Sequence, residues 1–164
     1  MNKSLIVAAA VFALAAGAAM AAQTTPQDKA QAAAGISVAS AAPSKEITIW
    51  RDPGCGCCNT YAEYLQKHGY DVTLVDDADF AQRSVAAGVP EQGLGCHLAQ
   101  IDGYYVSGLV PVDIIERLVA ERPDIAGITL PGMPANAPGM APDKTGILKT
   151  YAFGDSGISV YSNE

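Results

Sequence analysis

Four cysteines fall in two short segments, Cys55-Gly56-Cys57-Cys58 and Cys96-His97, and the 164 residues contain no others. Thiolate is both a nucleophile and a soft metal ligand, so two chemistries compete for these sulfurs. One is dithiol–disulfide exchange through Cys55 and Cys58, which have C-x-x-C spacing. The third thiol, Cys57, complicates that reading, because a surplus neighbour invites scrambling. The other chemistry is binding of a soft metal, for which four Cys and one His supply donors suited to Cu(I) or Zn²⁺. On a helix the side chains of adjacent Cys57 and Cys58 diverge by ~100°, so they cannot easily face one tetrahedral ion together with Cys55. A polynuclear site with bridging thiolates can use all of them, and this favours copper. Structural zinc sites prefer paired C-x₂₋₄-C knuckles, which the chain does not have twice. A further arrangement, two structural disulfides, is awkward for adjacent cysteines and unneeded in a domain of this size.

Other donors are weighed against blander roles. His97, next to Cys96, reads as a ligand, since imidazole suits copper. His68, at the end of a helical pattern, reads as a partner of the helix C-terminal dipole. Met133 and Met140 sit in repeated Pro-Gly-Met units. Their thioethers are soft Cu(I) donors, although a loop methionine is more often a packing plug. Asp76, Asp77 and Asp79 read as a solvated helix start and not a hard-metal site. No Ser/His/Asp triad, P-loop or dinucleotide fingerprint occurs. The balance of 10 Lys+Arg against 17 Asp+Glu, net −7, excludes a phosphate-backbone binder, and 7% aromatic residues argue against a base-stacking surface.

The elements that must position the cysteines follow from hydrophobic periodicity. Glu46 to Arg51 alternates as a strand, Asp52-Pro53-Gly54 breaks it, and Cys57 to His68 carries a helical stripe through Tyr61, Tyr64 and Leu65 that ends at Gly69. Asp71 to Val75 is a second strand, and Asp76 to Ala87 a second helix closing at Gly88. Leu98 to Ile101 and Tyr104 to Val106 flank Asp102-Gly103, a strong hairpin signal. Pro111 opens an amphipathic helix that ends before Pro123. The residues from Leu130 to Met140 read as a loop. Ile147 to Phe153 and Gly157 to Tyr161 read as a further hairpin whose docking place is not legible.

This order predicts an α/β domain with a four-stranded mixed sheet flanked by helices, the thioredoxin-like plan, plus an extra C-terminal loop and hairpin. In that layout both sulfur segments lie at the same end of the sheet and converge. Thioredoxin-type enzymes place a cis-proline before the strand facing the site, whereas this chain has Gly95-Cys96-His97-Leu98 there.

Ahead of the domain, residues 1–21 read as a signal peptide. Lys3 supplies the positive start, Leu5 to Ala16 form a short apolar stretch, and Ala19-Met20-Ala21 gives a small-x-small cleavage pattern. Residues 22–45, rich in Ala, Ser, Gln and Thr, read as a flexible linker, and 46–164 as the metal-binding domain. Export to the periplasm follows, with no membrane span left after cleavage. In that oxidising compartment free thiols drift toward disulfides unless metal or reductant holds them.

WRDPGCGCC with its following helix, then GVPEQGLGCH, DGYYVSGLVP and ERPDIAGITLPGMP with a second PGM, resemble the CopG family of periplasmic copper-resistance proteins, once known only as a domain of unknown function. The resemblance runs from about Trp50 through the C-terminal segment. It implies a thioredoxin-like fold and copper bound by Cys55, Cys57, Cys58 and Cys96 with His97 beside them. It also implies a multinuclear cluster open to redox chemistry, and a role in handling excess copper alongside other resistance proteins. The reading is therefore of an exported protein that sequesters Cu(I) or cycles copper between oxidation states. The alternatives are a thiol–disulfide oxidoreductase using Cys55 and Cys58, and a zinc-stabilised interaction module.

Overall fold

The computed structural model describes residues 45–164. The leader assigned to residues 1–21 and all but the last residue of the linker lie outside the described residues.

Strand β1 (Glu46–Arg51) buries Ile47 and Ile49, as its alternation requires. Helix α1 (Gly56–Lys67) buries Cys58, Tyr61, Ala62 and Leu65, an i, i+3, i+4, i+7 stripe, with Tyr64 beside it. It stops at His68, whose Nδ1 lies 2.8 Å from the Tyr64 carbonyl, and at Gly69 with φ +85°. Strand β2 (Asp71–Asp76) then runs parallel to β1. Helix α2 (Phe80–Ala86) is shorter than the periodicity predicts, because Asp76 completes β2 and Asp77 to Asp79 form a turn. In that turn Asp77 accepts the Asp79 amide at 2.9 Å and pairs with Arg83 at 2.6 Å.

Strands β3 (His97–Ile101) and β4 (Tyr104–Ser107) form the expected hairpin. Its turn residues Asp102 and Gly103 both have positive φ, 50° and 90°, as a type I′ turn demands. Helix α3 (Val112–Glu121) follows Pro111 and ends at Arg122, which is left-handed and donates its amide to Leu118. Strand β5 (Gly127–Thr129) then lies parallel to β4. The C-terminal hairpin is β6 (Lys149–Gly154) and β7 (Gly157–Asn163).

The sheet order is β2-β1-β3-β4-β5-β6-β7, so the expected four-stranded sheet has seven strands. The extra strands join because β5 bridges the fourth strand to the C-terminal hairpin. Three residues are too few to show an alternation, which is why β5 leaves no mark in the sequence pattern. Gly127 makes the join possible: a Cβ there would lie 2.1 Å from the Tyr105 carbonyl oxygen and 2.8 Å from Phe153 Cζ. The main core gathers Ile47 and Ile49 with Tyr61 and Leu65 of α1 and Ile114, Ile115 and Leu118 of α3. Leu98, whose neighbour Ala99 faces that core, instead meets Val89 and Phe153 in a smaller cluster on the opposite face. No helix among the described residues is long and apolar enough to cross a membrane.

Candidate metal centre

Two backbone constructions carry the cysteines. The first is the turn between β1 and α1. The Asp52 carbonyl accepts the Cys55 amide at 3.0 Å, and its carboxylate accepts the Gly54 amide at 2.7 Å. Cys55 thereby becomes the residue preceding the first turn of α1, next to the amides that a helix start leaves free.

The second construction is a three-way backbone contact built on glycines. Gly95 donates its amide to the Ser107 hydroxyl at 3.1 Å, Gly108 donates to the His97 carbonyl at 3.1 Å, and Gly132 donates to the Leu94 carbonyl at 2.9 Å. A Cβ on Gly95 would lie only 2.3 Å from the Gly108 Cα, and one on Gly108 would lie 2.2 Å from the Leu130 carbonyl oxygen. These side-chain-free approaches bring the 94–97 segment, the end of β4 and the 130–133 segment into one place. Cys96 and Met133 arrive together as a result.

The sulfurs of Cys55, Cys57, Cys58 and Cys96 all lie within 4.8 Å of one another. Cys55 and Cys58 are joined by a disulfide, while Cys57 and Cys96 are free thiols. Of the adjacent pair, Cys58 is fully buried and Cys57 is part-exposed. Cys57 Sγ stands 3.4 Å from Cys55 Sγ and points its thiol at the Met133 thioether, 3.7 Å away. The Cys96 carbonyl oxygen lies 3.6 Å from Cys58 Sγ and 3.9 Å from Cys55 Sγ. Met140 is exposed on the same loop as Met133.

His97 is close but is not one of the mutually adjacent donors. Its Nδ1 lies 3.4 Å from Cys96 Sγ, its ring packs 4.9 Å from that of Tyr61, and its buried Nε2 has no hydrogen-bond partner among the described residues. Burial pushes the His97 imidazole down to about 3, so it is neutral at ordinary pH. Burial likewise pushes the Cys96 thiol up to about 12, with nearby Cys57 adding to the push.

As it stands, the site holds one disulfide and two thiols. Reduced, it offers four thiols and a thioether in one patch, a donor set that fits a soft ion. The two remote segments converge as their topology predicts, and His68 lies at the helix end as expected. Sequence reasoning missed the glycine junction of Gly95, Gly108 and Gly132, and it missed Arg51, whose guanidinium reaches the Asp52 and Pro53 carbonyls of the turn before Cys55. Isolated glycines carry no local signal of which backbone they will meet.

A family model described as a protein of unknown function, DUF411, matches residues 94–140. Two solved structures are similar, the copper resistance protein CopG in form 2 and in form 1. Form 2 is 36% identical, with a TM-score of 0.66, and the match covers 73% of this chain and 97% of that one. Form 1 is 35% identical, again with a TM-score of 0.66, covering 75% and 98% respectively. No curated protein matches the sequence.

Proposed function

This chain belongs to the CopG family of copper resistance proteins, and on that premise we propose that it binds Cu(I) in a multinuclear thiolate cluster and thereby sequesters copper. The observation that carries the reading is the grouping of four cysteine sulfurs within 4.8 Å. In the reduced protein Cys55, Cys57, Cys58 and Cys96 are the thiolate ligands. His97 contributes a neutral imidazole beside Cys96, and Met133 a thioether at the Cys57 rim. Adjacent Cys57 and Cys58 diverge on α1, one part-exposed and the other fully buried, which supports bridging thiolates over a single ion. The order β2-β1-β3-β4, with β1 parallel to β2 and antiparallel to β3, supports a thioredoxin-like core to which β5, β6 and β7 are added.

Copper binding and disulfide chemistry share sulfurs, so each constrains the other. Two Cu(II) ions can take one electron each from the Cys55/Cys58 dithiol. The products are two Cu(I), the disulfide and two released protons. The reduced site would then be a sink for Cu(I) and a source of electrons for Cu(II). The setting proposed is the periplasm, reached through the 1–21 leader, with other periplasmic copper-handling proteins as exchange partners.

The test is an anaerobic Cu(I) titration of the fully reduced protein. Saturation above one equivalent is expected. Saturation at one equivalent, or no tight binding, overturns the cluster. A second reading, a thiol–disulfide oxidoreductase, is favoured by the Cys55–Cys58 disulfide itself. Disulfide transfer by the metal-free protein that survives both Cys57→Ser and Cys96→Ser would establish it in place of the first.

A further inference from the structure

Arg51 ends β1 where the ends of three strands meet. Its backbone is in register with Asp76 of β2 on one side and with His97 of β3 on the other. The carbonyl of Arg51 also accepts the Asp77 amide at 2.8 Å. The main chain of this residue is therefore hydrogen-bonded just past the end of β2 and in register with the strand that begins immediately after Cys96.

Its side chain turns the other way along the chain, back over the turn that leads to Cys55. Nη1 donates to the Asp52 carbonyl at 3.2 Å and to the Pro53 carbonyl at 3.2 Å, while Nη2 pairs with the Asp76 carboxylate at 2.9 Å. The side chain is only 12% exposed, and its Nε is buried without a hydrogen-bond partner among the described residues. Asp76 offsets the charge, so what remains is a planar fork reaching acceptors on two sides. A lysine ammonium has the charge but not the fork. The Asp52 carbonyl that Arg51 holds is the same one that accepts the Cys55 amide.

We propose that Arg51 is the positioning residue of the sulfur site, a strut whose backbone is registered to the Cys96-His97 segment and whose guanidinium fixes the Asp52-Pro53 turn that delivers Cys55. The proposal rests on the four sulfurs acting as one site and deepens that reading. Residues behind metal ligands commonly contribute ten- to a hundredfold to metal affinity by orienting them. Orientation should matter equally to the Cys55–Cys58 bridge, because closing it needs the two thiols held at bonding range.

The experiment compares full-chain Arg51→Met and Arg51→Lys with the wild type, and uses Arg83→Met as a control. Arg83 is also ion-paired, to Asp77, and stacks on Trp50, but among the described residues it has no hydrogen bond to the Cys55 turn. Two quantities are read: the equilibrium constant of the metal-free Cys55–Cys58 disulfide in glutathione buffers, and the Cu(I) affinity of the reduced protein by chelator competition. Arg51→Met is expected to lower the disulfide equilibrium constant severalfold and the Cu(I) affinity at least tenfold. Arg51→Lys should recover part of each, and Arg83→Met should change neither. Wild-type values for both quantities in Arg51→Met overturn the proposal, as do equal losses in Arg83→Met. Should Arg51→Met fail to fold, Asp76→Asn releases the guanidinium from its anchor and must shift both quantities in the same direction, or the proposal fails. Absence of Cu(I) binding by the wild type would sink the copper reading alone, since the metal-free disulfide measurement still decides on Arg51.

Discussion

Two glycines flank cysteines of the site, and they should respond to alanine in opposite ways. At Gly95 a Cβ would lie 2.3 Å from Gly108 Cα, 2.4 Å from Gly108 N and 3.1 Å from the Ser107 carbonyl carbon. Carbon atoms rest at about 3.5–4.0 Å, so the two backbones must part by more than ~1 Å. Neither neighbour is a flexible side chain that could step aside. Separation on that scale also stretches the Gly95 amide to Ser107 hydroxyl bond, now 3.1 Å, out of range. Overpacking of about 1–3 kcal/mol plus about 1 kcal/mol for the lost bond predicts that Gly95→Ala destabilises by roughly 2–4 kcal/mol. At Gly56, between Cys55 and Cys57, a Cβ would meet nothing within 4 Å, and the residue opens helix α1. Gly56→Ala should therefore stabilise by about 0.4–1 kcal/mol. Urea unfolding of the oxidised, metal-free protein measures both. Since Gly95 adjoins Cys96, the same variant should lose Cu(I) affinity while Gly56→Ala keeps it. A Gly95→Ala protein within about 0.5 kcal/mol of wild type would refute the claim that close backbone contact holds the second sulfur segment.

Three further outcomes follow from the same geometry. His97 takes a proton near 6.5 when unfolded but, buried, not until about 3 when folded. The unfolded chain thus binds more protons across that window, and this contribution to stability is complete above 6.5 and declines as pH falls toward 3. The folding constant should drop about tenfold per pH unit from this residue, and the wild-type minus His97→Gln difference in urea midpoints between pH 8 and 4 should trace it; a flat difference refutes the assignment. Cys57→Ser should leave the Cys55–Cys58 bridge in place, so that alkylation of the oxidised protein unfolded in denaturant without reductant, followed by mass spectrometry, labels Cys96 alone instead of Cys57 and Cys96, while the Cu(I) capacity of the reduced form falls. Met133 is 56% exposed, so Met133→Leu should alter stability by less than about 0.5 kcal/mol. It should nonetheless weaken Cu(I) binding in chelator competition, and unchanged affinity would remove the thioether from the site.

Much of the scaffold is legible one segment at a time, because periodicity and turn chemistry are local. The stripe of Tyr61, Tyr64 and Leu65 marks α1, Asp102-Gly103 marks the β3–β4 turn, and Pro111 and Pro123 bracket α3. The exceptions are equally physical. The acidic start expected for the second helix resolves into the last residue of β2 and a turn, since Asp77 caps Asp79 and pairs with Arg83 in place of opening a helix. Strand β5 is defined by its neighbours on either side and not by its own three residues.

The donors are also local: four cysteines and a histidine in two motifs state which chemistry is available, whatever the fold. Their wider arrangement is not local. The Cys55–Cys58 pair is itself local, but that Cys57 turns toward Met133, that His97 lies buried outside the sulfur group, and that Arg51 is anchored by Asp76 over the turn before Cys55 depend on which backbones touch. The Cys57–Met133 contact joins residues 76 positions apart, and the segments that carry Cys96 and Met133 meet through glycines without side chains. A sequence pattern records what a residue prefers over a turn or two of chain, but distance between remote atoms is created only when the sheet closes around them.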